Sequence, residues 1–245
     1  MFPDHEIIPG LGVDLYDFFI LIGILVAIVA YRVFSERVGM SVKVFNFSLI
    51  TAVISIILGF ASAILFQSFY NFLSKGVWEW QGMTFYGGLI GAIITYLLVY
   101  FIGGRFLFKE KENVKQFYKV LSLIVPCIIV AHAFGRIGCL MDGCCYGYET
   151  DSFIGISMHT NGVWVKRVPT QLFESIFLFV LFALLLFVLL RYQFEYVPSS
   201  YLIGYGAWRF IIEYFRDDPR GSSGIDFLTP SQLTAIVMIL GGIAL

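Results

Sequence analysis

Charge is scarce in this sequence. Only 13% of its 245 residues are Asp, Glu, Lys or Arg, while 59% are hydrophobic; soluble domains carry about 25% and about 45–50% respectively. So little charge cannot solvate a globular surface, and lipid is therefore the solvent for much of the chain. No separate soluble domain is expected. The net charge is −1, so there is no basic field of the kind that draws nucleic acid, and no nucleic-acid partner is expected. The N-terminal stretch MFPDHEIIPGLGVDLYD lacks the basic region of a cleavable signal peptide, so the first hydrophobic segment is expected to be a retained span. Histidine is down to three residues and cysteine to four, which leaves few candidate bases or metal ligands. No internal repeat or low-complexity segment stands out.

What the chain does have is long apolar runs. At roughly 20 residues per crossing, seven spans are expected, near Leu15–Val33, Phe45–Phe72, Met83–Gly103, Phe117–Phe134, Gln171–Leu190, Tyr201–Phe215 and Phe227–Leu245. The fold class is therefore all-α: a polytopic integral membrane protein with about seven transmembrane helices, one membrane domain over residues 1–245. Nine of the sixteen basic residues fall in the first, third and fifth connections. The positive-inside rule puts those connections in the cytoplasm, the N-terminus outside and the C-terminus cytoplasmic. Arg136, Lys166, Arg167, Arg209, Arg216 and Arg220 break that rule. Broken rules mark places where function is expected. So does the one long connection, an outer loop at about 136–170 with a strand-like piece, NGVWVKRV.

Charge inside a span is expensive and needs a partner or a wet cavity. Arg209 and Glu213 are four apart and share a helix face. They read as an internal ion pair or as an anion site in which Glu213 orients the arginine fork toward a phosphate. Arg216 and Arg220 read as interfacial residues that meet lipid head groups. Arg136 lies between Gly135 and Gly138, followed by Asp142, Gly143 and Gly147. An arginine among exposed backbone N–H groups describes a phosphate cradle; the plain alternative is an arginine that snorkels to the membrane edge. In QGMTFYGGLIGA, Gly87 and Gly88 permit close helix packing or a narrow head-group slot beside Tyr86. In RVPTQLFES, Pro169 and Thr170 suit a helix start, and Gln171 and Glu174 lie near the membrane boundary, where they could line a polar cavity.

Three of the four cysteines, Cys139, Cys144 and Cys145, crowd into GRIGCLMDGCCYG. A Cys139–Cys144 disulfide, a zinc site with His132, and free thiols all remain open; the spacing H-x6-C-x4-C-C fits no standard zinc pattern. Cys127 reads as packing, and His5 and His159 as loop residues. His132, one turn before Arg136, is either a structural histidine or a base.

MTFYGGLIGA, GRIG with DG and YG, RVPTQLFE and LIGYGAWRFIIEYFR occur in this order. Together they resemble the prolipoprotein diacylglyceryl transferase family, bacterial plasma-membrane enzymes with seven spans. The resemblance implies transfer of the diacylglyceryl group of phosphatidylglycerol to the lipobox cysteine of a prolipoprotein, with glycerol phosphate leaving. It implies a multi-pass protein of the bacterial plasma (inner) membrane. Its partners would be phosphatidylglycerol, membrane lipids and a prolipoprotein signal peptide, and no metal or other cofactor is expected. Arg136 and Arg209 match the family's essential arginines and Glu213 its nearby glutamate; Tyr16 matches a tyrosine at the start of the first span. The candidate catalytic residues are Arg136, Arg209, Tyr86 and His132. Tyr16, Gly87, Gly88, Gly135, Asp142, Gly143, Gly147, Gln171 and Glu213 are expected to shape the substrate pocket. The chain departs from the family at Tyr86, where the family has histidine, and at Cys139 and Cys144, where it has asparagine and glutamate. Val168 and Thr170 replace a histidine and a serine around Pro169. Those edits leave two rivals: the same donor with another acceptor such as a surface glycan, and a lipid-binding or transport protein without chemistry.

Overall fold

The computed structural model describes residues 6–8, 13–160, 163–192, 195–218 and 227–245. Each expected apolar segment contains a helix. These are α1 (Leu15–Arg37), α2 (Val42–Lys75), α3 (Phe85–Leu98), α6 (Phe117–Asp142), α7 (Thr170–Tyr192), α8 (Val197–Ile212) and α9 (Pro230–Ala244). Between α3 and α6 lie a π-turn at Val99–Gly103 and the short helices α4 (Gly104–Leu107) and α5 (Glu112–Lys115). Five stretches are long and apolar enough to cross a membrane: Leu15–Arg37, Val42–Leu73, Tyr86–Leu107, Lys109–Asp142 and Thr170–Tyr192. α8 and α9 have 16 and 15 residues, and at 1.5 Å per residue α9 reaches only ~22 Å, short of a hydrocarbon core about 30 Å thick. Seven full crossings are thus more than the helix lengths alone carry.

Local chemistry fixes the helix ends. Asp14 accepts a hydrogen bond from the Asp17 N–H and caps α1. Ser41 caps α2, and Gly76, in the left-handed region, ends it. Thr229 and Gln232 form a capping box at α9, with Pro230 in the first turn. Two antiparallel pairs accompany the helices. β1 (Glu6–Ile8) pairs with β2 (Val13–Asp14), and β3 (Ile156–Thr160) with β4 (Val163–Arg167). β4 coincides with the expected strand-like piece; β1 and β2 were not legible in the polar N-terminal tail.

The chain divides into two compact units, one of residues 1–38 with 121–245 and one of residues 39–120. In the second, α3 lies close against α2. A Cβ on Gly87 would stand 2.5 Å from the Phe66 Cβ, and one on Gly91 would collide with Ser62. The Ser62 hydroxyl donates to the Gly87 carbonyl at 2.9 Å. Contact this close is how helices associate in lipid, where burial of apolar surface supplies no net drive. At the π-turn, the Tyr100 hydroxyl donates to the Asn113 carbonyl (2.8 Å) and the Asn113 amide donates back to the Tyr100 carbonyl (3.0 Å). In the first unit, α1 packs on α6: a Cβ on Gly23 would lie 2.9 Å from the Phe134 Cβ, and one on Gly138 would lie 3.1 Å from the Tyr16 carbonyl oxygen.

One boundary shifts the reading of the site. α6 does not stop near Phe134 but runs to Asp142. Arg136, Gly135 and Gly138 are therefore inside a helix, with backbone N–H groups committed to the helical ladder. The expected cradle of exposed amides does not form there. The chain leaves the helix only at Gly143, whose φ of 79° is a left-handed turn that suits glycine.

Candidate active site

After Gly143 the backbone becomes extended and is held from both sides. Gly147 N–H donates to the Val168 carbonyl and Tyr148 N–H to the Phe215 carbonyl, while Asp217 N–H donates to the Tyr146 carbonyl. This stitches the loop to the residues just before α7 and just after α8. Gly147 has no room for a side chain, since a Cβ would be 2.5 Å from the Phe215 oxygen. Arg167 braces the same loop. Its guanidinium pairs with Glu149 (2.9 Å) and Asp217 (2.8 Å) and lies 4.4 Å over the Tyr146 ring. At the start of α7, the Thr170 hydroxyl donates to the Cys145 carbonyl at 2.8 Å, and the Gln171 amide donates to the Cys144 carbonyl. Gln171, expected in the substrate pocket, is thus committed to the cysteine loop.

The next turn of α7 puts Glu174 at the centre, with no exposed surface. Its Oε2 lies 3.1 Å from Arg136 Nε, 3.8 Å from Arg209 Nη1 and 3.7 Å from Arg216 Nη1. Its Oε1 accepts from the Tyr205 hydroxyl at 2.7 Å and lies 3.9 Å from His132 Nε2. Three arginines from α6, α8 and the chain after α8 therefore share one buried carboxylate. A buried charge persists only when paired and hydrogen-bonded, and here each arginine has a further or open edge. Arg209 Nη2 pairs with Glu213 (3.0 Å) and donates to the Ser231 hydroxyl (2.8 Å); Thr229 donates to Glu213 at 3.0 Å. Arg216 holds Asp218 in a two-pronged pair at 2.9 and 3.1 Å. Arg136 differs: beyond the Glu174 contact, its two Nη groups meet no hydrogen-bonding side chain among the described residues.

The structure brings Arg136, Arg209, Glu213 and His132 together around Glu174, which lies between the two guanidiniums where an empty slot was expected. Arg216 is not an interfacial residue: it is only 5% exposed. The bend of the turn at Glu213–Phe215 and the bridge between Arg216 and Gly147 carry it inward. Arg220 lies outside the described residues, as does His5. The sequence reading places Glu174 beside a polar cavity and Arg216 at the interface, and gives neither its place at the centre of the site. The signal for Glu174 was a carboxylate in the first turn of an apolar span, a position that helix capping explained too easily.

The cysteines form a second cluster on the same loop. Among the described residues all four are free thiols. The Sγ atoms of Cys139, Cys144 and Cys145 lie within 4.8 Å of one another. Cys139 is one turn before the end of α6; Cys144 and Cys145 curl back over that end, Cys145 with φ of 63°. His132 does not join them among the described residues, so of the open alternatives the four-ligand set with His132 is not assembled. The Cys145 thiol is held well below the usual thiol range by hydrogen bonds with Cys139 and Cys144, then by the Arg216 and Arg136 guanidiniums. Burial alone would lower the basicity of Arg216, but its hydrogen bond to Asp218 and the neighbouring Cys145 thiol raise it. Tyr16 lies within electrostatic range of all three thiols and of Asp142. Tyr86, Gly87 and Gly88 belong to the other unit, where Tyr86 is 41% exposed and the glycines serve the α2–α3 contact.

Comparison with known proteins identifies the family. The family described as prolipoprotein diacylglyceryl transferase matches residues 5–245. The chain is 33% identical to phosphatidylglycerol–prolipoprotein diacylglyceryl transferase 2 of Clostridium perfringens, over 96% of this chain and 91% of that protein. It is also 33% identical to the phosphatidylglycerol–prolipoprotein diacylglyceryl transferase of Clostridium tetani, over 96% and 92%. A relative of the same name in Chlorobaculum tepidum is 36% identical over 67% of this chain and 55% of its own length. A match of this extent shows that the chain belongs to the prolipoprotein diacylglyceryl transferase family.

Proposed function

We propose that this protein transfers the diacylglyceryl group of phosphatidylglycerol to the cysteine thiol of a prolipoprotein in the bacterial inner membrane, releasing glycerol phosphate. The observation that carries this reading is the arrangement of Arg136. Its Nε faces Glu174 in an ion pair at 3.1 Å, while its Nη groups face no hydrogen-bonding side chain among the described residues. An arginine held along one edge presents the other as a preorganised two-pronged donor for phosphate oxygens. Arg209 and Arg216, on the same carboxylate, add positive field at the point where the leaving phosphate gains charge. Such preorganised charge is worth most in a site that excludes water. Glu174 keeps the three guanidiniums from repelling one another apart when no lipid is bound. The acceptor attacks as thiolate, because the thiol itself is a poor nucleophile.

The test is reconstitution of the full chain in vesicles containing phosphatidylglycerol with a lipobox peptide. Mass spectrometry should show the peptide gaining one diacylglyceryl group on cysteine, with one glycerol phosphate released per event. Arg136→Ala should lower the rate by roughly 10²–10³-fold, the range seen when one preorganised donor is removed, while the protein keeps its folded signature. Donor consumed only in the presence of a glycan, or no donor consumed under any condition, overturns the proposal.

A further inference from the structure

We propose that Cys139, Cys144 and Cys145 form a three-thiolate site for a zinc-class divalent ion whose fourth position receives the acceptor thiol. The first half stands on the thiol geometry alone; the second half rests on the transferase reading above.

Tetrahedral zinc with Zn–S bonds of about 2.3 Å sets its sulfurs about 3.8 Å apart. The three Sγ atoms already lie within 4.8 Å of one another, so closure around an ion needs a contraction of about 1 Å or less. Hydrogen bonds to their backbone carbonyls hold all three in place, two of them from α7. The Cys145 carbonyl accepts from Thr170, the Cys144 carbonyl from Gln171, and the Cys139 carbonyl from the Gly143 and Cys144 N–H groups. A disulfide would engage two of these sulfurs and leave the third idle. A metal uses all three. Thiolate-rich sets select zinc and similar soft or borderline ions over magnesium or calcium.

No fourth His, Cys, Asp or Glu stands with the three sulfurs among the described residues. Three protein ligands and an open fourth position are the hallmark of a zinc site that does chemistry, not one that only staples a fold. The charge balance fits as well. A divalent cation with three thiolates carries one net negative charge, and a fourth thiolate makes it two. The Arg216 and Arg136 guanidiniums both lie within electrostatic range of the Cys145 thiol. The same Arg216 reaches Glu174, at 3.7 Å, where the phosphate-binding arginines meet. The nucleophile and the leaving group would thus be held side by side.

The step balances without another reactant. The peptide thiol displaces water from the metal and loses its proton to solvent, since a coordinating thiol is deprotonated outright. The thiolate then attacks the glyceryl carbon that bears the phosphate. A carbon–sulfur bond forms, the carbon–oxygen bond breaks, and its electron pair leaves on glycerol phosphate beside the arginines. The product thioether is neutral and a weaker ligand than thiolate, so water replaces it. A metal in this position supplies what a general base would otherwise supply.

The test uses the full chain purified in detergent under anaerobic, reducing conditions. Co(II) added alone should give sulfur-to-metal charge-transfer bands at one ion per chain, and Zn(II) should displace it stoichiometrically. Cys139→Ser, Cys144→Ser and Cys145→Ser should each weaken binding at least roughly 10-fold, the order seen when a metal's coordination is disturbed, whereas Cys127→Ser should not. A lipobox peptide should shift the Co(II) spectrum, and the same peptide with serine for cysteine should not. Stoichiometric binding by the triple serine variant, or no charge-transfer band in the wild type, sinks the metal site. An intact mass two hydrogens light in protein kept reduced does so too. Full transfer activity after complete metal removal sinks the thiol-activating role while sparing the transferase reading. Absence of transfer from loaded and metal-free protein alike overturns the transferase reading instead, with the metal titration still deciding the site.

Discussion

Glu174→Gln probes the centre of the arginine cluster most directly. Glutamine keeps the volume and, through its Oε1, an acceptor for the Tyr205 hydroxyl that now sits at 2.7 Å. What it removes is the negative charge facing three guanidiniums at 3.1, 3.7 and 3.8 Å. At an effective dielectric of about 20, each such pair at ~3.5 Å is attractive by about 4–5 kcal/mol, most of it offset by the cost of taking the ions out of water. Breaking a buried pair from one side costs about 3–5 kcal/mol, because the remaining charge is left uncompensated. For a chain of this size that corresponds to a midpoint about 6–20 °C lower, read by a thermal melt of the purified protein in detergent. An anion can replace the missing charge. Added phosphatidylglycerol should therefore raise the variant's midpoint by several degrees more than it raises the wild type's. A variant that melts with the wild type would refute the premise that Glu174 is the common anchor. Equal lipid stabilisation of both proteins would refute the idea that the arginines face the lipid phosphate.

Tyr205→Phe removes one hydrogen bond to a charged acceptor and should cost about 1.5–3 kcal/mol by denaturant titration; combined with Glu174→Gln the losses should add to less than their sum, since glutamine has already taken the charge from that hydrogen bond's acceptor. Gly147→Ala places a Cβ 2.5 Å from the Phe215 oxygen and 2.8 Å from the Val168 oxygen, both backbone atoms, and should destabilise by at least about 1–3 kcal/mol. Gly135→Ala should do the opposite: a Cβ there meets nothing within 4 Å and α6 is helical at that point, so a gain of about 0.5–1 kcal/mol is expected in the melt. Arg167→Lys cannot hold Glu149, Asp217 and the Tyr146 ring at once; hydrogen exchange at residues 146–150 should speed up, with little change in the helices.

The helices were legible because lipid solvent leaves a strong mark: runs of apolar residues with few charges. So were Arg136, Arg209 and Glu213, since charge inside such a run must have a partner. The rest depended on geometry that spacing does not encode. Gly135 and Gly138 look like loop residues, yet Gly138 serves a helix crossing with Tyr16, and the helix continues through both. Arg216 follows the last apolar residues of its segment and looks like a membrane-edge arginine. Only the turn at Glu213–Phe215 and its bridge to Gly147 bring it inside. The three thiols lie at positions i, i+5 and i+6, which a helix would scatter. Left-handed backbone at Gly143 and Cys145 folds them onto one spot, and no periodicity announces that.

The contact of α1 with α6 has a consequence for how the chain is made. Gly23 meets Ala131 and Phe134, residues that leave the ribosome more than a hundred positions later. At about 5–20 residues per second, the first helix waits on the order of 5–20 s in the bilayer before its partner is synthesised. During that interval its apolar length alone must keep it inserted, while residues 39–120 can assemble as soon as they emerge. The nascent protein therefore completes its middle before its beginning.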